Sequence, residues 1–383
     1  MKMLIIIFLL IFSGFSWGYA NFIGHGYTSC INCHFNPFGN GQLTDYGRAV
    51  SATAISSRTF YPKSWDEEKI AYTSGFLFRQ PKQKLIRTQI NYRGFSLVTN
   101  PGSSSNEERE WINMQFDARM ALRFGEKQQF LFAADYGKVP IPSELTEGES
   151  DQEYRSRNLY LGYRLNSKFG LYAGLMDKVY GLRVIEHIAF SRINPQITQN
   201  DQTYGVAGHF LDGEWEGGVH AFVGNYYQDP DYRMKGASAM LEKTIFSTHR
   251  VGASFLNSKN DYLTLTSYAV HGRFNLKEGS SLLAELGQTE KSPEEDSSIT
   301  TARYGLLQTY LRPFRGFYVL ANIEYLKNDI SSRDYIVRWG PGLQYFPIQR
   351  IELRADIYDT RNIISNTSIK DSWMYLIQTH IWL

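Results

Sequence analysis

Over Trp111-Ile112-Asn113-Met114-Gln115-Phe116-Asp117-Ala118-Arg119-Met120-Ala121-Leu122-Arg123-Phe124, apolar and polar side chains alternate almost residue by residue. Ile112, Met114, Phe116, Ala118, Met120, Leu122 and Phe124 fall on one face of an extended chain; Asn113, Gln115, Asp117, Arg119 and Arg123 fall on the other. A period of two is the signature of a strand. The run is long enough to cross a bilayer at a tilt, with its apolar face toward lipid and its polar face toward water.

The same pattern recurs on both sides. Ile86, Ile90 and Tyr92 alternate with Arg87, Gln89, Asn91 and Arg93; Phe317, Val319, Ala321, Ile323 and Tyr325 alternate with Asn322 and Glu324. Ile351, Leu353, Ala355 and Ile357 alternate with Glu352, Arg354 and Asp356, and Trp373, Tyr375, Ile377, Thr379 and Ile381 carry the pattern to Leu383. About sixteen such segments fit between Lys84 and Leu383. Long connectors are expected near 100–110, 138–155, 177–203, 227–235, 288–298 and 360–370. Short ones are expected near 125–127, 166–168, 212–213, 276–280, 312–316 and 346–349. Outer-membrane barrels combine an even strand number with short periplasmic turns and longer outer loops. The expected fold is therefore all-β: a transmembrane antiparallel β-barrel of about sixteen strands, with a small N-terminal segment and both ends of the barrel on the short-turn side. A soluble sandwich would bury one face of each strand in a dry core. The recurrent Arg, Asp, Asn and Gln of the second face suit a wet lumen instead.

Composition agrees. The 383 residues include 26 Tyr, 24 Phe, 7 Trp and 32 Gly but 12 Pro, at a net charge of +2. This balance provides no electrostatic basis for nucleic-acid binding. Residues 1–20 have the form of a secretory signal peptide: Lys2, an apolar run from Leu4 to Phe12, and Gly18-Tyr19-Ala20 before the expected cleavage. That apolar run is too short for a membrane-spanning helix.

The only two cysteines stand together, in Cys30-Ile31-Asn32-Cys33-His34. C-x-x-C-H is the attachment site of a c-type haem, with Cys30 and Cys33 as the covalent anchors and His34 as the proximal iron ligand. The alternatives are a disulfide or half of a zinc site; zinc would need two more ligands, and only His25 is near. No methionine lies between Met3 and Met114, so the segment itself offers no His/Met pair, and His25 is the nearest candidate sixth ligand. His209, His220, His271 and His380 fall on the lumen phase of their strands. The chain divides into a haem segment over 21–68, a linker over 69–83 and the barrel over 84–383.

These features resemble the fused monohaem cytochrome c–porins of bacterial outer membranes, known from iron-oxidising bacteria. The shared motifs are Cys30 to His34, then Asn36-Pro37-Phe38, then Leu43-Thr44-Asp45-Tyr46-Gly47-Arg48. The glycine-rich insertion Gly39-Asn40-Gly41-Gln42 and Tyr46 in place of phenylalanine depart from that family's pattern. The resemblance implies one covalent haem c, an extracellular electron donor with Fe²⁺ as one candidate, and a periplasmic electron carrier. The alternative is a solute porin whose haem segment is a plug, a sensor or a structural element. Arg48, Arg87, Arg93, Arg119 and Arg123 are candidate partners for haem propionates. The connector from Asp177 to Asn200, with Arg183, Glu186, His187 and Arg192, is long enough to fold into the pore. Acidic clusters at Glu144, Glu147, Glu149, Asp151, Glu153 and at Glu294, Glu295, Asp296 are expected on outer loops. Neither a Ser/His/Asp set nor a phosphate-binding glycine loop is present.

Overall fold

A computed structural model describes residues 19–39, 41–79, 85–101, 107–140, 152–186, 188–277, 279–295, 298–364 and 367–383. The expected leader lies outside this set except for Tyr19 and Ala20, as do Asp296, His187 and the acidic positions from Glu144 to Asp151.

The strands form one closed antiparallel sheet. Every strand pairs with its neighbours in sequence, and the first, Ile86–Thr99, closes on the last, Thr367–Trp382, with Arg93 opposite His380. Two short segments, Gln152–Arg155 and Leu159–Arg164, both pair with Phe130–Pro140 and are one strand interrupted at residues 156–158. The barrel therefore has sixteen strands. Closure leaves no strand edge unpaired, which is what permits β structure within a hydrocarbon layer. Leu353, Ile357, Trp373, Tyr375 and Ile377 point outward and are exposed, while Glu352, Arg354 and His380 point inward and are buried. An apolar exterior on a closed barrel places the protein in a bacterial outer membrane.

The expected single face of Trp111–Phe124 breaks in the middle. Arg93 pairs with Gln115 but Gly94 pairs with Asn113, so Met114 is an extra residue in a β-bulge. The bulge reverses the phase: Met114 turns inward and is buried, while Trp111 and Phe116 both face outward. An inserted residue of this kind is invisible to a period count, because both neighbours of Met114 are polar.

Two connectors also differ from expectation. Around 360–370 the strands run to Ile364 and resume at Thr367, so the chain there is sheet, and near 288–298 the strand continues to Pro293. Conversely, the outer connection after Lys259 is short, with the next strand starting at Leu263.

Residues 19–39 and 41–57 lie in the lumen, while residues 58–79 are largely exposed and pack on the short turns at its mouth. Together they form the helices Tyr19–Ile23, Asp45–Val50 and Glu67–Tyr72, with a wider turn over Ser51–Ile55 continuing the second. The boundary expected at residue 68 falls inside the third helix, and the stretch expected as a linker is folded as far as residue 79. The plug is fastened to the short-turn end. Gly279 N–H donates to the Gly24 carbonyl (2.7 Å), and Ser57 N–H to that of Phe346 (2.9 Å). Arg315 reaches the Ala52 and Ser56 carbonyls and Glu67. The lumen wall is not uniformly wet here. Leu283, Leu306, Tyr310, Tyr318, Leu320 and Phe346 form an apolar seat for Phe22, Ile23, Val50 and Ile55 of the plug.

Candidate functional site

The Cys30-to-His34 stretch is one tight turn. Cys33 N–H and His34 N–H both donate to the Cys30 carbonyl, at 3.1 and 2.9 Å. The turn carries both sulfurs and the imidazole to the wall of one cavity of about 840 Å³, partly open to solvent. Phe22, Phe38, Leu182 and Leu283 supply its apolar lining.

The downstream motif clasps this turn. Thr44 N–H donates to the Cys33 carbonyl (2.8 Å), Phe35 N–H to that of Gln42 (3.0 Å), and His34 bridges to Leu43 as an isolated ladder pair. Thr44 then caps the following helix, its hydroxyl accepting from Gly47 N–H at 3.1 Å. At Gly47 the helix passes so close that a Cβ would stand 2.3 Å from the Cys33 carbonyl oxygen. Only glycine allows this approach.

Lumen side chains pin the turn from the other side. Ser29 donates to Glu216 (2.9 Å), and Arg273 Nη1 approaches Cys30 Sγ at 3.4 Å. Glu216 also pairs with His209 (2.8 Å) and Arg250, while Glu242 pairs with His271 (3.0 Å) and Arg273. Edge-on packing of Phe38 against His209, with centroids 5.4 Å apart, adds a further tie. The cysteines are not disulfide-bonded. Burial pushes the Cys33 thiol up to about 12, with a smaller contribution from Cys30, and burial also raises Cys30. Among the described residues, no group of three or more His, Cys, Asp or Glu converges as a metal site. Two sulfurs and one imidazole on an apolar wall suit a flat, largely apolar group bound at three points.

His34 also borders a second cavity, of about 1230 Å³, between the plug and the barrel wall. The expected inward connector forms its roof. Residues 177–186 and 188–202 enter the lumen and hang from acidic and hydroxyl side chains of the wall. Leu182 N–H donates to Glu285 (2.5 Å), Phe190 N–H to Glu324 (2.7 Å), and Gly181 N–H to Ser254 (3.0 Å). Arg93, Arg119 and Arg157 of the barrel wall and Arg183 and Arg192 of the connector line this cavity, and among the described residues no Asp or Glu does.

The candidate residues separate accordingly. Cys30, Cys33 and His34 come together, whereas His25 lines neither cavity. Its imidazole is buried toward Arg312 and Arg315, and burial followed by those two charges lowers it to about 4. His209, His220, His271 and His380 are all buried in the lumen, and His380 shares the second cavity with His34. Arg93 and Arg119 reach that cavity. Arg48 instead donates to the Thr88 carbonyl (3.0 Å), Arg87 pairs with Asp45 (2.6 Å), and Arg123 lies over the Phe35 ring. Arg157 escaped the sequence reading because it sits in the interruption at residues 156–158, where no alternation marks its direction.

No protein-family model and no curated protein sequence matches the chain. Solved structures do match in fold, and the class they define is the outer-membrane β-barrel. OmpT of Vibrio cholerae superposes with a TM-score of 0.60 at 9% identity, over 79% of this chain and 99% of that one. The anion-selective porin from Comamonas acidovorans gives 0.56 at 7% identity, over 78% and 99%. The channel DcaP of Acinetobacter baumannii gives 0.55 at 12%, over 81% and 99%. At these identities the likeness is one of fold. This chain is thus a porin-fold barrel of the outer membrane with its own N-terminal segment folded into the lumen.

Proposed function

We propose that this protein is an outer-membrane electron-transfer barrel, carrying one covalently bound haem c on its lumen plug. One observation supports this above all: the turn bearing Cys30, Cys33 and His34 lies inside the lumen, not free in the periplasm. Cys30 and Cys33 would hold the group through thioethers and His34 would ligate the iron. When bound, haem supplies a one-electron carrier. The chain's own contribution is placement, with the Thr44–Gly47 clasp fixing the turn and Phe22, Leu182 and Leu283 giving an apolar surface beside it. An apolar band roughly 25 Å tall separates an outside donor from a periplasmic carrier. A carrier held within the lumen shortens that separation from both sides.

The porin fold itself favours a second reading, in which the barrel passes solutes and the haem-bearing plug gates or stabilises it. Reconstitution in sealed proteoliposomes separates the two. Under the first reading, an external reductant such as ferrous iron reduces an enclosed acceptor, and His34→Ala abolishes this while leaving a heat-modifiable barrel. Wild-type transfer by His34→Ala, or solute flux without electron transfer, would establish the porin reading.

A further inference from the structure

We infer that the arginine-lined cavity beside His34 seats the two propionates of the haem, which makes Arg93, Arg119 and Arg157 its orienting residues. This deepens the proposed function and rests on it. The assignment comes from how the two cavities divide. The thiols of Cys30 and Cys33 border only the smaller cavity, whereas His34 borders both. A group bonded to all three therefore meets the boundary between them. Such a group is apolar apart from two carboxylates, and the charges on the two walls differ. In the smaller cavity Arg273 is matched by Glu242, and Glu216 is matched by Arg250 just behind the wall. In the larger one, five arginines line the wall, Arg183 shared with the smaller cavity, and among the described residues no carboxylate does.

The carboxylates that pair with these arginines stand behind the wall and do not face the cavity. Asp117 pairs with both Arg119 (3.0 Å) and Arg157 (3.5 Å), and Asp177 pairs with Arg183 (2.7 Å). Arg192 is held by the Val184 and Ile197 carbonyls, and Arg93 Nη2 contacts His380 Nδ1 at 3.2 Å. Asp135, Glu186, Asp201 and Glu352 also act on Arg157, Arg192 and Arg93 from outside the cavity, so among the described residues the cavity face itself presents guanidinium groups and no carboxylate. Two propionates would bring to this cavity face the carboxylates it lacks, and the guanidinium fork suits them. Phe22, Val184 and Phe346 add apolar surface to the same lining, which the body of a tetrapyrrole requires. Asp117 is a positioning residue, holding Arg119 and Arg157 toward the cavity.

The test uses the purified haem-loaded barrel and follows its midpoint potential by optical titration from pH 5 to 9. Arg93→Gln, Arg157→Gln and the double variant should keep thioether-bound haem and a heat-modifiable barrel. Their midpoint should fall, because a nearby cation favours the reduced state. The pH-dependent part of the curve should move upward, because the propionates lose their stabilising partners. Arg157→Lys should recover part of both shifts, and Arg109→Gln, exposed near the outer rim, should change neither. Unchanged midpoint and pH profile in the haem-loaded double variant would overturn this assignment while leaving the proposed function standing. A saturable response of the wild-type midpoint to succinate would also overturn it, by showing that the wall takes a diffusible carboxylate. Absence of covalent haem from the native protein would overturn both readings.

Discussion

At the scale of single residues, the site depends on a few unequal contacts. Cys30 and Cys33 are the sole thiols, so Cys30→Ser or Cys33→Ser should weaken or abolish the haem signal that survives denaturing electrophoresis. The barrel should remain folded, since its stability comes from closed strand pairing. Recovery of a haem-free native protein with a Cys30–Cys33 disulfide would refute the attachment. His25 provides a second test, on the plug rather than the haem. Its folded pKa of about 4 lies below the ordinary value of 6.5, so the docked plug favours the neutral imidazole. Above pH 6.5 neither state is protonated and the effect vanishes. As pH falls from 6.5 to 4, the undocked plug gains a proton that the docked plug refuses, and docking weakens by up to roughly 3 kcal/mol. Proteolysis of the plug should therefore accelerate over that window, and His25→Gln should flatten the response.

At the scale of elements, the inward connector shows how an irregular segment is held in a pore. Its backbone N–H groups are satisfied by wall side chains, and Glu324 serves twice, accepting from Phe190 N–H and pairing with Arg338. Glu324→Ala would strand both a buried donor and a buried guanidinium, a change that typically costs about 3–5 kcal/mol. The expected result is a loosened connector, read as faster protease cleavage within 177–202 with the barrel intact. Unchanged cleavage would show that the connector holds without this anchor. Most strands were legible as alternation, because each faces lipid on one side and the lumen on the other. The bulge at Met114 was not, since it arises from pairing with Arg93 and Gly94 rather than from the run itself. The helices of the plug were also hidden. Tyr19–Ile23 and Glu67–Tyr72 are too short to establish a period; the first is stabilised by packing on the barrel wall and the second by packing on the rest of the plug.

At the scale of the whole molecule, plug and connector together occupy a lumen that sixteen strands would otherwise leave as a channel. Deleting residues 21–79 should raise single-channel conductance severalfold; equal conductance would mean that the plug does not obstruct the pore. Orientation is open to an equally direct check. Epitope tags inserted at Glu295 should be reached on intact cells and those at Gly213 should not. The opposite pattern would place the plug at the outer mouth. The barrel, its approximate strand number and the Cys30–Cys33–His34 set were determined by sequence alone, because alternation and a contiguous motif are local properties of the chain. The position of that motif within the lumen, the seclusion of His25, and the gathering of Arg93, Arg157 and Arg183 around one cavity were decided only by the tertiary structure. Those relations join residues far apart in sequence, and closing the barrel around its own N-terminal segment is what brings them together.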